Sequence, residues 1–163
     1  MGLHTLVFMS NPRRPLEEHE LKAIACEIHE RAAKVNVKSV LLYSPEYIFE
    51  VLEGDSDDLD RVLGRISRDE RHGNIQVLLY RPIESRWITD TSMGVLPSQP
   101  NKVVNRESLT MIADTALQNT ERAGEAALGM LTEFYHAMSS GAPCIIEPGS
   151  SGAQDLTGSN EHA

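Results

Sequence analysis

Residues 3–9, Leu-His-Thr-Leu-Val-Phe-Met, alternate loosely and are rich in strand formers. They predict an opening strand, broken by Asn11-Pro12-Arg13-Arg14-Pro15. From about Leu16 to Lys34, Leu21, Ile24, Ala25, Ile28 and Ala32 recur at spacings of three and four, which marks one face of a helix. Glu17, Glu18 and Glu20 suit its first turn, where the helix dipole favours negative charge. Two strands follow, 37–43 and 47–52, joined by a turn at Ser44-Pro45-Glu46, and Glu53-Gly54-Asp55 closes the second. A second helix over 56–67 turns Leu59, Val62, Leu63 and Ile66 inward. A strand at 75–80 and a weaker extended segment at 87–93 come next.

Strand, helix, strand, strand, helix, strand, strand is the ferredoxin-like α+β order with one strand added (βαββαββ). It predicts a mixed five-stranded sheet with two helices on one face. The other face would be bare. Residues 106–139 offer it two covering helices, one with the stripe Leu109, Ile112, Ala113, Ala116 and Leu117, the other with Ala127, Met130, Leu131 and Phe134. They break near Asn119-Thr120, where Thr120 is the candidate cap. One sheet face cannot satisfy both stripes, so they predict a homo-oligomer, a dimer or larger. From Ser139 onward the composition is Gly, Ser, Ala, Pro and acid, and 141–163 reads as a disordered tail.

A length of 163 residues suits one domain, and 40% apolar residues can fill one core. No apolar run is long enough to span a bilayer, and no secretory signal is visible. Fifteen Lys and Arg against 24 Asp and Glu give a net charge of −9. That balance disfavours nucleic acid and anionic membranes as partners and suits a cytoplasmic protein. Cys26 falls at an apolar-face position of the first helix and reads as buried filler. Cys144 lies in the tail, and the six His form no metal-ligand motif.

The densest charged cluster is Arg65-Ile66-Ser67-Arg68-Asp69-Glu70-Arg71-His72. It reads either as a solvated helix end or, through His72, as the wall of a pocket. Gly54 alone makes no phosphate loop, and Ser10 and Ser92 show no nucleophile elbow. From the residues alone the chain is a regulatory-looking α+β domain without a catalytic constellation, and so not an enzyme.

Five segments then add a family resemblance. Leu-Val-Phe-Met-Ser at 6–10, Val-Leu-Leu-Tyr at 40–43, Phe-Glu-Val-Leu-Glu-Gly at 49–54, Asp-Glu-Arg-His at 69–72 and Ser-Met at 92–93 occur in order. Together they resemble the BLUF family of blue-light sensors that use FAD. The resemblance implies a BLUF-like domain over 1–96, a helical extension over 97–140 like that of short stand-alone members, and the tail at 141–163. It implies a flavin between the two helices, with Ile24, Arg65, Ile66, Asp69, His72 and Met93 at pocket positions. At the photochemical positions the chain departs from the family. The family's electron-donating tyrosine is Phe8, and its light-switched glutamine is Glu50. Its Asn-Asn pair at the end of the first helix is Arg31-Ala32. The tryptophan before Ser-Met is Thr91, and Trp87 lies four residues earlier.

A phenyl ring has no proton to give, and an ionised carboxylate accepts hydrogen bonds without donating them. The expectation is a signalling domain that acts through a protein partner, with no cofactor and no flavin photocycle. The alternative is an FAD-binding photoreceptor with altered photochemistry. An acylphosphatase-like enzyme, faintly echoed by Arg13-Arg14, is the remaining class. Without flavin, Arg31 and Glu50 are expected to fill the cleft as a pair, since a lone buried carboxylate needs a donor. Otherwise Arg31 points to solvent and Glu50 finds another partner.

Overall fold

The computed structural model of the chain describes residues 2–96 and 105–139. Its elements run β1 (Leu3–Pro12), α1 (Glu18–Val35), β2 (Lys38–Tyr43), β3 (Ile48–Asp55), α2 (Ser56–Ser67), β4 (His72–Pro82), β5 (Ser92–Val95), α3 (Arg106–Gln118) and α4 (Thr120–Ser139). The five strands form one sheet in the order β4-β1-β3-β2-β5. Its pairs are antiparallel except β2 with β5, which run parallel. This is the expected mixed sheet and ferredoxin-like topology. The expected tail and the segment 97–104 lie outside the described residues.

Period-two alternation sorts the strand residues into two cores. Leu6, Phe8, Leu41, Tyr43, Ile48 and Leu52 pack with Leu21, Ala25 and Ile28 of α1 and Leu59 and Val62 of α2. Val7, Met9, Val40, Leu42, Phe49 and Val51 pack on the opposite side with residues of α3 and α4. α4 lies on the sheet itself, touching all of β1–β4, while α3 packs chiefly against α4. Two glycines set how closely α4 sits. A Cβ at Gly94 would lie 1.9 Å from Phe134 Cζ, and one at Gly124 would lie 2.5 Å from the Leu78 carbonyl oxygen.

Several local expectations need correcting. β3 does not close at Glu53, since Gly54 and Asp55 continue the ladder opposite His4 and Leu3. Of the segment 87–93, only Ser92 and Met93 join a strand, and β5 continues to Val95. Asn119, not Thr120, caps α4: its Oδ1 accepts from the Arg122 N–H at 3.0 Å. Cys26 is exposed, because the buried stripe of α1 runs through Leu21, Ala25 and Ile28, and Cys26 turns away from it. On α3, Leu109, Ile112 and Ala116 are buried, but Leu117 is 85% exposed. α4's Ala127, Met130, Leu131 and Phe134 are all buried within the chain. The stripes are therefore largely satisfied inside one molecule and do not by themselves require a partner copy.

Candidate functional site

Between α1, α2 and the sheet lies a cleft floored by Phe8, Leu41, Ile48 and Glu50 and walled by Ile24, Ile28 and Arg31 of α1. Ile66, Asp69, Arg71 and His72 close it from the α2 side. α1 ends at Asn36, which adopts a left-handed conformation (φ 53°). Arg31, in the last turns before that cap, reaches down to the sheet. Its Nη2 donates to Glu50 Oε1 at 2.5 Å and to Ser39 Oγ at 3.1 Å. The side chains are 14% and 2% exposed, so the pair is largely out of water. Of the two arrangements the sequence left open, the direct pair is the one formed.

The space that remains in the cleft is about 80 Å³. Ligand pockets for drug-sized molecules are roughly 300–1,000 Å³. Beside the cleft, an open groove of about 290 Å³ runs between the helices, lined by Glu27, Glu30, Arg31, Lys34, Arg65 and Asp69 among others.

The structure brings most of the sequence-predicted positions to this region. Phe8, Ile24, Arg31, Glu50, Ile66, Asp69 and His72 line the cleft. Arg65 is exposed and lines only the groove. Ala32 lines neither space, being half-buried on another side of α1. Met93 is fully buried in the helix-side core opposite Leu41, away from the cavity wall. Trp87 sits on the α4 side, its ring edge-on to Tyr135 at 5.5 Å, across the sheet from the cleft.

His72 is fixed at both ring nitrogens. Nε2 donates to the Ile66 carbonyl at 2.8 Å, and Nδ1 meets Ser10 Oγ at 2.7 Å. Because a carbonyl only accepts, Nε2 carries a proton. At the cleft mouth Arg71 grips Asp69 at 2.5 Å and Glu27 at 2.8 Å. Burial pushes the Asp69 carboxyl upward, but hydrogen bonds and charge from Arg71 outweigh it and hold the group below its ordinary range. The same bonds, opposed by burial, raise Arg71. The charged cluster at 65–72 is thus neither wholly solvated nor wholly pocket.

A second polar assembly, which the sequence reading missed, lies on the other side of the sheet. Glu53 is fully buried. Its carboxylate accepts from the backbone N–H of Ile88 at 2.8 Å and of Trp87 at 3.2 Å. Burial raises its pKa, and those two bonds only partly counter the shift. The segment around it is anchored residue by residue. Arg86 donates to the carbonyls of Glu53 and Asn36. Lys38 Nζ donates to the Thr89 carbonyl at 2.7 Å. The Tyr135 hydroxyl of α4 accepts from the Thr89 and Asp90 N–H groups at 3.1 and 3.2 Å. Thr91 Oγ1 accepts from the Ser39 N–H at 3.2 Å. The available signal was an acid at an inward position of β3, where alternation calls for an apolar residue.

Among the described residues, the one carboxylate–imidazole grouping compact enough for a metal is Glu17, His19 and Glu20. Glu20 there is already paired with Arg14. No helix among those residues is long and apolar enough to cross a membrane.

Residues 3–94 match the family described as BLUF, sensors of blue-light using FAD. Photoactivated adenylate cyclase subunit beta of Euglena gracilis is 32% identical over 94 residues, 56% of this chain. The chain spans only 11% of that relative's length. Among solved structures, BlrB, a BLUF protein in its dark state, superposes with a TM-score of 0.59 at 22% identity, covering 86% of this chain and 98% of that one. A bacterial light-regulated adenylyl cyclase gives a TM-score of 0.64 at 23% identity, covering 71% of this chain and 35% of the other. At those identities the structural likeness shows the fold alone.

Proposed function

The chain belongs to the BLUF family, and from that premise we propose that it is a regulatory domain working through contacts with another protein, without the family's flavin photocycle. The observation that carries this reading is the Arg31–Glu50 pair, which occupies the space between the helices and the sheet. A flavin ring would need that space, and about 80 Å³ does not accommodate it. The residues present do not fit the group chemically either. Glu50 offers only acceptors while it is paired with Arg31, and Phe8 has no phenolic proton. Displacing the guanidinium would strand a buried carboxylate, which is costly. Nucleotide cyclisation by the larger relatives is not carried over, because the chain matches only a small part of them. We read it as a sensor-type module and not an enzyme.

The second reading, an FAD-binding protein with altered photochemistry, is favoured by one feature. Ile24, Ile66, Asp69 and His72 still line a cleft that opens beside a groove of about 290 Å³. The visible absorption spectrum of the purified protein, before and after adding FAD, separates the two. A colourless protein that takes up no FAD supports the first. Bound FAD with a reversible red shift under blue light overturns it.

The partner is proposed to be a protein, with self-association as one form of it. Light scattering at working concentration tests the self-association: a single-chain mass leaves only an unlike partner.

A further inference from the structure

The Arg31–Glu50 pair fills the cleft only in part and is not itself fully satisfied. Arg31 Nε is buried without a hydrogen-bond partner. Glu50 meets Arg31 through Oε1 alone, and its second oxygen, Oε2, receives no hydrogen bond among the described residues. Both residues line the space of about 80 Å³ that remains. A buried polar group without a partner is costly, and native structures leave few of them. The other polar groups of the cleft are already engaged. His72 is bonded at both ring nitrogens, to Ile66 and Ser10. Asp69 is held by Arg71. Around the pair the wall is apolar, formed by Phe8, Ile24, Ile28, Leu41 and Ile48.

We propose that the cleft is a binding site for a small uncharged amide, whose N–H donates to Glu50 Oε2, whose carbonyl accepts from Arg31 Nε, and whose apolar end lies against Phe8 and the isoleucines. Three physical limits select that class. The first is size. An apolar cavity of about 150 Å³ takes benzene, so the space here suits roughly three to five non-hydrogen atoms. The second is charge. Arg31 and Glu50 neutralise one another, so an anion would be set against Glu50, and a cation against Arg31, without compensation. The third is hydrogen bonding. A guanidinium N–H only donates and a carboxylate oxygen only accepts, so the two unused atoms of the pair match a carbonyl beside an N–H. Arg31 borders the open groove as well as the cleft, which gives its guanidinium room to turn Nε toward the ligand while Nη2 stays on Glu50. The inference rests on the reading that the cleft takes no flavin, and it concerns the two positions at which the chain replaces the family's residues with a charged pair.

Titration of the isotope-labelled full chain with three molecules of one shape, acetamide, acetone and acetate, tests it. The readout is the Arg31 Nε–H resonance in a nitrogen–proton correlation spectrum. Four non-hydrogen atoms allow dissociation constants from roughly 0.1 mM to 0.1 M. Acetamide should shift the resonance saturably within that window. Acetone cannot donate to Glu50, and acetate adds an uncompensated charge, so each should bind at least about tenfold more weakly. Propionamide should bind about fourfold more tightly than acetamide, the gain for one buried CH₂ group. Ile24→Phe fills the cleft without touching the pair and should abolish the acetamide shift. Glu50→Gln leaves Arg31 without its neutralising charge and should invert the order, so that acetate is preferred to acetamide. If that variant does not fold, Ile24→Phe and the ligand series decide. The proposal is overturned if acetamide gives no saturable shift, which would mean that the cleft holds water only. It is equally overturned if the three molecules bind alike or if the shift survives Ile24→Phe. The visible spectrum after adding FAD reads the premise separately: FAD uptake sinks the premise, whereas a colourless protein that ignores acetamide sinks this inference alone.

Discussion

Glu50 and Glu53 stand three residues apart on the same strand, both out of water, and face opposite sides of the sheet. Glu50 is compensated by a full positive charge brought in from a helix. Glu53 has no cation on its carboxylate among the described hydrogen bonds and relies on two backbone N–H groups. The first solution depends on one other side chain. The second depends on the path of the backbone, which side-chain substitution at Trp87 or Ile88 does not remove. The cleft side should therefore be fragile to single changes, and the cap side sensitive to packing and pH.

The largest expected effect breaks the cleft side. Arg31→Met leaves Glu50 buried without its charge partner and should cost roughly 3–5 kcal/mol in urea unfolding. Arg31→Met with Glu50→Leu should cost clearly less than the two single changes together. An additive result would mean that the pair is not coupled.

Next comes packing on the cap side. Gly94→Ala pushes a methyl group into the Phe134 ring and should cost about 1–3 kcal/mol. Adding Phe134→Leu should recover part of that loss. No recovery would show that α4 does not rest on Gly94.

Smaller again is Glu53→Gln, which keeps the shape but supplies one acceptor where a carboxylate has two, at about 1 kcal/mol. Its sharper signature is in pH. Burial raises Glu53, so the folded chain holds this proton more tightly than the unfolded chain. Its contribution to stability is full below the ordinary glutamate range and declines as pH rises through the folded value. Asp69, held low by Arg71, behaves oppositely: its contribution is present above the ordinary aspartate range and is lost as pH falls through its depressed value. Unfolding midpoints measured from acid to neutral pH should lose the Glu53 component in Glu53→Gln and keep the Asp69 component. An unchanged profile would contradict the assignment.

The smallest effect is expected at the surface pair of Arg81 and Glu125, which joins β4 to α4 with both side chains about half exposed. Glu125→Ala should shift stability by less than about 1 kcal/mol, and salt should erase the difference.

The same contrast explains what the sequence made legible. Strands and helices followed from periodicity because each presents a regular apolar face. Arg31 and Glu50 were legible as a pair because two family positions that face one ring had both become charged. Glu53 was passed over because Glu53-Gly54-Asp55 has the composition of a strand end, whereas the ladder runs on to Leu3. Its partners are backbone groups, which carry no side-chain signature. Of the segment expected to be extended, 87–93, residues 87–91 are not a strand for a related reason. Their conformation is set by Glu53, Lys38, Ser39 and Tyr135, all distant in sequence. Leu117 lies one residue past the buried Ala116, a step around the helix that leaves it exposed.

The unequal burial of Arg31 and Glu50 also constrains which single substitutions the chain can accumulate and in what order. A change at Arg31 first would leave a carboxylate, 2% exposed, without its charge partner. A change of Glu50 to an uncharged residue first would leave a guanidinium that is 14% exposed, still bonded to Ser39 and bordering an open groove. The second intermediate is the more tolerable of the two. Any lineage that exchanges this pair for neutral residues has its easier passage through position 50, and position 31 becomes free to vary only afterwards. Laboratory selection for a reopened cleft should recover substitutions in that sequence, with early changes at Arg31 purged by loss of folding.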